Sequence, residues 1–279
     1  MRVEAYAKVN LTLEVFGKRS DGYHALRSVV LPVSLSDTLT IEATGDGTLA
    51  SDTGYPDDLC LKAARALDPA QGARISVVKR IPAGGGLGGG SADAAATLLA
   101  LNELWGLGKS REELAAIGAR VGSDVPALVL GGPVLMEGRG EKVSRLEIGR
   151  EAKGGRLGRL NLVLVNPGVF SSTAEVYSRC SPRLPSDASI VYNMQQALER
   201  GDLKGIAAGL MNDLQDPAVK LHPEIREALE ALEAAGAEGV LMSGSGSSVF
   251  GLVPDSVTAE RISAELNFKG LQSWPVQTV

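Results

Sequence analysis

A run of glycine between two regular elements is the feature that most restricts how this chain can fold. Residues 82–101 read PAGGGLGGGSADAAATLLAL, which places six glycines within the seven positions 84–90, the glycine loop. The preceding residues 74–81 (RISVVKRI) are typical of a strand, and the Ala and Leu run that follows predicts a helix beginning near Ser91. The predicted local order is therefore strand, glycine loop and helix.

The glycine loop is predicted to bind phosphate. Without Cβ atoms, its backbone can approach a ligand closely and adopt positive φ angles. The free N–H groups and the positive dipole end of the following helix favour an anion at the same place. A tight turn needs far fewer glycines, so close packing of the strand on the helix is the weaker explanation for this run.

Two known nucleotide-binding patterns can be tested against this loop. Gly90 stands where a Walker loop requires lysine, and this excludes that motif. Gly84, Gly86 and Gly89 satisfy G-x-G-x-x-G, but the acidic residue that should contact a ribose does not follow. A nicotinamide-dependent oxidoreductase is therefore kept as an alternative from a different class of enzyme.

Phosphoryl transfer also requires a cation and a carboxylate from other segments. Alternating apolar residues over residues 3–15 predict a strand that places Lys8 and Asn10 on the face opposite the buried one. Asp124 lies in the turn-like sequence GSDVP. A solvated strand face for the lysine and a turn or helix cap for the aspartate remain open at this point. Residues 243–248 (SGSGSS, the serine-glycine loop) predict either a second anion site or a plain hairpin.

Both halves of the chain mix helical and strand patterns, and the length of 279 residues suggests two domains or one large one. The charged, glycine-containing stretch 150–160 predicts the joint, with domains over residues 1–155 and 156–279. The predicted elements are strands over 3–15, 25–42, 74–81, 161–165, 239–242 and 249–253, and helices over 57–67, 110–121, 187–200, 202–213 and 223–235.

Charge and composition exclude several partners. The chain has 28 Lys and Arg against 33 Asp and Glu, so it lacks the basic excess that neutralises a nucleic-acid backbone. No apolar run reaches the ~18 residues of a membrane span, and MRVEAYAKVN has no secretory pattern. Cys60 and Cys180 form no paired-cysteine motif, and the two histidines have no ligand spacing. We expect a cytoplasmic protein with no metal-ligand cluster and no nucleic-acid or membrane partner.

Five segments resemble, in this order, the motifs of the GHMP small-molecule kinases. They are AKVNL (7–11), DGYH (21–24), PAGGGLGGGSADAA (82–95), GSDVP (122–126) and MSGSGS (242–247). The resemblance implies an α+β fold of two domains: an N-terminal domain similar to the second domain of ribosomal protein S5, and a ferredoxin-like C-terminal domain. The substrate is expected in the cleft between them.

The resemblance also implies a reaction. ATP, with Mg²⁺, would donate its γ-phosphate to the 2-hydroxyl of 4-diphosphocytidyl-2-C-methyl-D-erythritol, a step in the non-mevalonate route to isoprenoid precursors. Another kinase of the family, acting on homoserine or mevalonate, is the alternative within enzymes. A nucleotide-binding regulator without catalysis is a third reading, against which the presence of both Lys8 and Asp124 argues. The protein is expected to act as a monomer or homodimer.

Residue roles are carried over from the family motifs. Asp124 would accept the hydroxyl proton, and Lys8 would hold the hydroxyl and offset charge on the γ-phosphate. Asn10 would bind the methylerythritol hydroxyls. Tyr23 and Tyr177 would sandwich the cytosine while a third residue reads its edge. The remaining carried-over residues are His24 at the base edge, Gly244 and Ser245 over the reacting side, and Pro82, Gly84, Gly85, Gly86, Leu87, Gly88, Gly89, Gly90 and Ser91 around the ATP phosphates.

The chain departs from the family pattern at three positions. The family often has proline where Tyr6 stands, serine where Ala92 stands, and an asparagine facing the adenine where Asp58 stands. We therefore assign no adenine contact to Asp58.

Overall fold

The protein is described here by a computed structural model that covers residues 1–146, 159–184 and 189–279. Its strands are β1 (Arg2–Lys18), β2 (His24–Thr44), β3 (Leu49–Ser51), β4 (Gly72–Val78), β5 (Val134–Gly138), β6 (Lys142–Arg145), β7 (Asn161–Asn166), β8 (Met211–Asn212), β9 (Gly239–Met242), β10 (Val249–Val253) and β11 (Gln272–Gln277). Its helices are α1 (Leu59–Leu67), α2 (Gly89–Leu104), α3 (Arg111–Gly118), α4 (Val125–Leu130), α5 (Thr173–Arg179), α6 (Ser189–Arg200), α7 (Leu203–Ala208), α8 (Gln215–Leu221), α9 (Glu224–Ala234) and α10 (Ser256–Phe268). The predicted joint after residue 155 lies outside the described residues.

The first sheet is built around the long strands β1 and β2. Its order is β3-β4-β2-β1-β8, with β5 pairing with β2 and β6 with β5. Strand β1 carries one extra residue between Asn10 and Thr12, where the pairing with β2 shifts from Val30 to Val29. The Thr12 hydroxyl accepts a hydrogen bond from Val29 N at 2.9 Å and fills this irregularity. Such bulges re-aim the side chains beside them, and this one lies two residues beyond Lys8.

The second sheet is antiparallel, with the order β11-β7-β10-β9. In chain order its strands and covering helices alternate as β7, α9, β9, β10, α10 and β11, which is the β-α-β-β-α-β arrangement of ferredoxin-like domains. The serine-glycine loop joins β9 to β10, so the predicted hairpin is present.

Strand β7 ties the two halves together. Its alternating residues Leu162 and Leu164 belong to the main core with the residues of β1 and α2, whereas Val163 and Val165 belong to a second core under α9 and α10. A strand with apolar residues on both faces lies between two packed layers. The two halves therefore share buried surface.

One expectation about an individual element is wrong, and one open alternative is excluded. The helix predicted over 202–213 ends at Ala208, and residues 211–212 form the short strand β8, which pairs in parallel with β1. The polar face of β1 is not solvated, because Lys8 and Asn10 are only 4% and 3% exposed. Helix α4, which begins at Val125, was not predicted. Of the helices in the described ranges, none has both the length and the apolar character needed to cross a bilayer.

Candidate active site

A cavity with a volume of about 700 Å³ is lined by both halves of the chain. Strand β1, the glycine loop and the turn before α4 line it from the first half. Residues 170–177 and the serine-glycine loop line it from the second half. The segments that carry the five sequence motifs are therefore neighbours in space, except for residues 21–24, which lie outside the cavity wall.

Lys8 lies in the interior of β1 with its ammonium in this cavity. Its Nζ donates a hydrogen bond to Asn10 Oδ1 at 2.7 Å and lies 3.5 Å from Asp124 Oδ2. A buried ammonium requires such partners, because the loss of hydration is otherwise costly. This burial excludes the solvated strand face, and Lys8 stays a predicted site residue.

Asp124 is placed by the start of α4, where it occupies the N-cap position before Val125 and Pro126. Its side chain makes no capping hydrogen bond, so the carboxylate is available to the cavity. The side chain is 34% exposed, which leaves one face of the carboxylate open to a ligand. The structure therefore brings Asp124 and Lys8 together from distant positions in the sequence.

Asn10 is oriented by a chain of hydrogen bonds beneath the cavity. Its Nδ2 donates to Ser28 Oγ at 2.8 Å, and the Ser28 hydroxyl donates to the Thr12 carbonyl at 2.5 Å. With its Oδ1 on Lys8, the amide orientation of Asn10 is fixed at both ends. Ser28 lines the cavity and was not found from the sequence, because a single serine in a strand carries no pattern.

The glycine loop adopts the conformations that the sequence predicts. Gly84, Gly86 and Gly88 have φ angles of 66°, 74° and 72°. Gly88 is the N-cap of α2, which begins at Gly89 rather than near Ser91. The helix N-terminus therefore faces the cavity, where its free N–H groups can bind an anion.

Close packing accounts for part of this glycine run. A Cβ at Gly86 would lie 2.1 Å from the Ser243 carbonyl oxygen, and one at Gly85 would lie 2.6 Å from Ser248 Oγ. Ser248 N also donates to the Gly85 carbonyl at 3.0 Å. The packing explanation, which the sequence ranked lower, thus holds for these two glycines, although their partner is the serine-glycine loop. A Cβ at Gly88 would instead lie nearest to the side chains of Lys8 and Asp124.

The remaining residues predicted around the phosphates divide into cavity wall and core. Pro82 and Ser91 line the cavity, as do Gly244 and Ser245. Leu87 does not, because its side chain is buried in the main core, while its carbonyl accepts a hydrogen bond from Lys8 N at 3.0 Å. Leu87 therefore contributes backbone to the loop and anchors it to β1.

The predicted base-binding residues are only partly assembled. Tyr177 lines the cavity, and the His24 ring stacks on it with 5.6 Å between centroids and an angle of 28°. Burial raises the pKa of the Tyr177 hydroxyl above its usual value, and the negative charge of Asp124 raises it further. Tyr23 is 54% exposed and contacts the guanidinium of Arg139, 5.2 Å from its ring centroid. Tyr177 thus lines the cavity, whereas Tyr23 does not.

A buried ion cluster beside the glycine loop was missed by sequence reasoning. The Lys79 ammonium donates to Asp37 and, at 2.6 Å, to Asp93 on the first turns of α2. Asp37 also accepts from Ile81 N at 2.8 Å and so fixes the end of the segment that enters the loop. Burial raises the pKa of Asp93 to about 7, with a further increase from the charge of Asp37 and an opposing effect of Lys79.

Asp58 has a structural role. It is the N-cap of α1, and its Oδ1 accepts from Cys60 N at 2.7 Å and from Leu61 N at 3.2 Å. Its second oxygen accepts from Thr53 Oγ1 at 2.6 Å. These bonds lower the pKa of the carboxyl against the opposing effect of burial. The replacement of the family's asparagine is thus compatible with the local fold.

This geometry defines a class of protein. A helix N-terminus and glycine loop suited to phosphate lie beside a buried ammonium and an accessible carboxylate in one closed-in cavity. These are the groups that a phosphotransferase acting on a small molecule requires.

Comparisons with known proteins identify the family. The model described as "GHMP kinases N terminal domain" matches residues 58–132, and "GHMP kinases C terminal" matches residues 194–271. The protein named 4-diphosphocytidyl-2-C-methyl-D-erythritol kinase of Moorella thermoacetica is 42% identical over 95% of this chain and 94% of its own length. Its namesake in Symbiobacterium thermophilum is 39% identical over the full length of both chains. The chain belongs to the GHMP kinase family.

Solved structures agree with this assignment. A crystal structure of 4-(cytidine 5'-diphospho)-2C-methyl-D-erythritol kinase matches with a TM-score of 0.81 and 35% identity, covering 100% of this chain and 99% of the other. A mevalonate kinase matches with a TM-score of 0.71 at 16% identity, covering 100% of this chain and 99% of the other, and so shares the fold. The two-domain GHMP kinase fold expected from the sequence motifs is thereby confirmed, as is an ATP-dependent small-molecule kinase.

Proposed function

We propose that this chain transfers the γ-phosphate of ATP to the 2-hydroxyl of 4-diphosphocytidyl-2-C-methyl-D-erythritol. The observation that carries the chemistry is the position of the Lys8 side chain, which has its methylene groups beside Gly88 at the start of α2 and its ammonium 3.5 Å from Asp124 Oδ2. The full-length relatives at about 40% identity support the choice of substrate.

The proposed step exchanges one phosphorus–oxygen bond for another. The substrate hydroxyl oxygen forms a bond to the γ-phosphorus, the bond to the β–γ bridging oxygen breaks, and ADP leaves with that electron pair. Asp124 orients the hydroxyl and accepts its proton, while Lys8 offsets the charge that develops on the transferred group. Alignment and electrostatic stabilisation supply most of the catalysis in such transfers. The amides at the α2 N-terminus hold the phosphates.

We expect Mg²⁺ to arrive with the nucleotide. Within the residues that the structure describes, no group of three or more His, Cys, Asp or Glu side chains could hold a metal by itself. Mg²⁺ in kinases binds phosphate oxygens, water and only one or two protein oxygens, and Ser91 lines the cavity with a hydroxyl that would serve as such a donor. When bound, the ion neutralises negative charge on the phosphates.

Cytosine binding by Tyr23, His24 and Tyr177 is part of this proposal. Tyr177 and His24 already form a stacked pair at the cavity edge, and the exposed Tyr23 ring is available to cover a flat heterocycle. The cytoplasmic location, the monomeric or dimeric state and the domain division after residue 155 stay predictions.

The test is a coupled assay of ADP release. Purified protein with ATP and Mg²⁺ should release ADP with 4-diphosphocytidyl-2-C-methyl-D-erythritol and not with homoserine or mevalonate. Release with one of the other alcohols would reassign the substrate within the family. A folded protein that binds ATP but releases no ADP with any of them would overturn the proposal.

A further inference from the structure

Asn212 lies behind the reaction cavity rather than in its wall, yet its side chain holds the serine-glycine loop. Its Nδ2 donates to the carbonyl oxygens of Met242 and Gly244, both at 2.8 Å. Its Oδ1 accepts from Leu214 N at 2.9 Å. Both amide hydrogens and the amide oxygen are thus used, which fixes the orientation of this side chain.

The backbone of Asn212 is tied to the strand that carries Lys8. Asn212 pairs with Leu13 where β8 runs parallel to β1, and Asp213 N donates to the Leu13 carbonyl at 3.0 Å. The Asp213 carboxylate accepts from Val15 N at 2.9 Å on the same strand. A two-residue strand with these bonds connects β1 rigidly to the loop that closes the cavity.

The serine-glycine loop contacts the reacting groups directly. A Cβ at Gly244 would lie 3.1 Å from Lys8 Nζ and 3.0 Å from the Gly86 carbonyl oxygen. Ser243 Oγ donates to that same carbonyl at 3.1 Å. A shift of this loop would therefore change the space around the ammonium and the course of the glycine loop. Small displacements of this kind lower catalytic rates strongly in aligned transfers.

We propose that Asn212 is a positioning residue for phosphoryl transfer. It fixes the serine-glycine loop against Lys8 and Gly86 without contact with either substrate. The inference rests on the proposed function for its kinetic consequence, but its structural part can be measured without any substrate.

The kinetic test uses Asn212→Asp, which has the same shape. The carboxylate still accepts from Leu214 N, but its second oxygen faces two carbonyls with no hydrogen to donate. We expect kcat to fall by about 10- to 100-fold, with the KM for ATP and for the alcohol changed by less than about threefold. Asn267→Asp is the matched control, because Asn267 in α10 likewise donates to the Ser273 carbonyl and accepts from Ser273 N away from the cavity. It should leave kcat unchanged.

Hydrogen exchange of the serine-glycine loop is the second measurement. The amides of Ser243, Gly246 and Ser248 are hydrogen-bonded, so the loop should exchange slowly in the wild type. Exchange in a peptide spanning residues 243–248 should accelerate in Asn212→Asp and not in Asn267→Asp. Unchanged exchange, unchanged kcat in Asn212→Asp, or equal kcat losses in the two variants would overturn the inference. A wild type inactive on the proposed substrate would reject that function, while the exchange data would still decide the role of Asn212.

Discussion

The Lys8 ammonium is held by neighbours of two kinds. Asn10 supplies a neutral carbonyl oxygen at 2.7 Å, and Asp124 supplies a negative oxygen at 3.5 Å. The longer, charged contact is the one that opens to the cavity, since the Asp124 side chain is 34% exposed and the Lys8 side chain only 5%. A substrate hydroxyl could therefore enter between the two charges while Asn10 keeps the lysine in place.

This arrangement predicts that Asp124→Asn loses activity without loss of fold. The asparagine keeps the shape but cannot accept the hydroxyl proton, so kcat should fall by about 10²- to 10⁴-fold. Stability should fall only modestly, because the asparagine carbonyl oxygen can still face the Lys8 ammonium and Asp124 makes no capping hydrogen bond that would be lost. Steady-state kinetics and thermal unfolding of the same preparation provide the check.

Asp255→Asn is the control for this prediction. Asp255 is also a helix N-cap, at the start of α10. Its side chain accepts a hydrogen bond from Thr258 N and lies away from the cavity. Asparagine is an equally good cap, so both activity and stability should be retained. Near-normal kcat in Asp124→Asn would remove that residue from the mechanism.

Alanine substitutions at two glycines of the loop distinguish a glycine required for close packing from one that lies in the helix. Gly86→Ala should destabilise the protein and weaken ATP binding, because its φ of +74° is strained for alanine and the Cβ would meet the Ser243 carbonyl. Gly90→Ala should retain the stability of the wild type, since the nearest atom to its Cβ is 3.4 Å away, in Leu59, and alanine favours the helix. Thermal unfolding of both variants and ATP titration of Gly86→Ala test this, and equal losses of stability in the two variants would contradict the packing explanation.

The sequence predicted where the glycine loop lies better than why each glycine is needed. Six glycines in one loop indicate that backbone must come close to something, but the residues alone do not say to what. The structure divides them between the serine-glycine loop, at Gly85 and Gly86, and the Lys8–Asp124 pair, at Gly88. Those partners come from segments that are distant in the sequence, and no local pattern reports them.

At the level of elements, long strands and capped helices were predictable and short elements were not. The alternating sequence of β1 and the capping-box pattern of Ser110 and Glu113 at α3 are local signals, and the strand and the capped helix are both present in the structure. Strand β8 has two residues, too few for any period, and it is defined only by its pairing with β1. The Lys79 cluster was not predictable either, because its carboxylates lie 42 and 14 residues from the lysine in the sequence.

The Lys79 cluster predicts an unusual pH dependence for the start of α2. Asp93 has a pKa of about 7 in the fold, because it is buried and shares one lysine with Asp37. The unfolded carboxyl ionises near pH 4, so between about pH 4 and pH 7 the folded state binds more protons. This group therefore lowers the stability of the protein as pH rises through that window.

Asp93→Asn should remove this contribution. The stability of the variant relative to the wild type should increase by about 2–4 kcal/mol between pH 4 and pH 8, measured by urea unfolding at each pH. Asp46→Asn is a control of opposite sign, because backbone hydrogen bonding by Thr48 lowers the pKa of the exposed Asp46. Its relative stability should fall as pH rises toward about pH 4 and stay flat between about pH 5 and pH 8. A flat difference for Asp93→Asn would show that this carboxyl is ionised throughout.

On the scale of the whole molecule, the two family domains share their main core. Leu162, Leu164 and Phe250 from the second half pack in one cluster with Val9 and Leu98 from the first. The stretch 150–160 and the family motifs predicted the two-part organisation, but this continuity depends on tertiary packing and was not predictable from local sequence. A cavity lined by both halves requires such continuity, because its two walls must keep a fixed distance for the transfer to proceed.

A shared core predicts that the two halves unfold together. The chain has two tryptophans, Trp105 after α2 and Trp274 in β11, and both are partly buried against the main core. Trp105→Phe leaves a reporter in the second half, and Trp274→Phe leaves one in the first. Trp105 Nε1 has no hydrogen-bond partner among the described residues, so the first change removes no hydrogen bond.

The fluorescence of each variant should show a single unfolding transition, which coincides with the transition measured by circular dichroism on the same variant. Saturating ATP should raise the unfolding midpoint reported by each tryptophan by the same amount, because ATP binds a cavity formed by both halves. If the unfolding transition of either tryptophan preceded the circular dichroism transition, the two halves would be independent folding units, and the shared core would not make them unfold together.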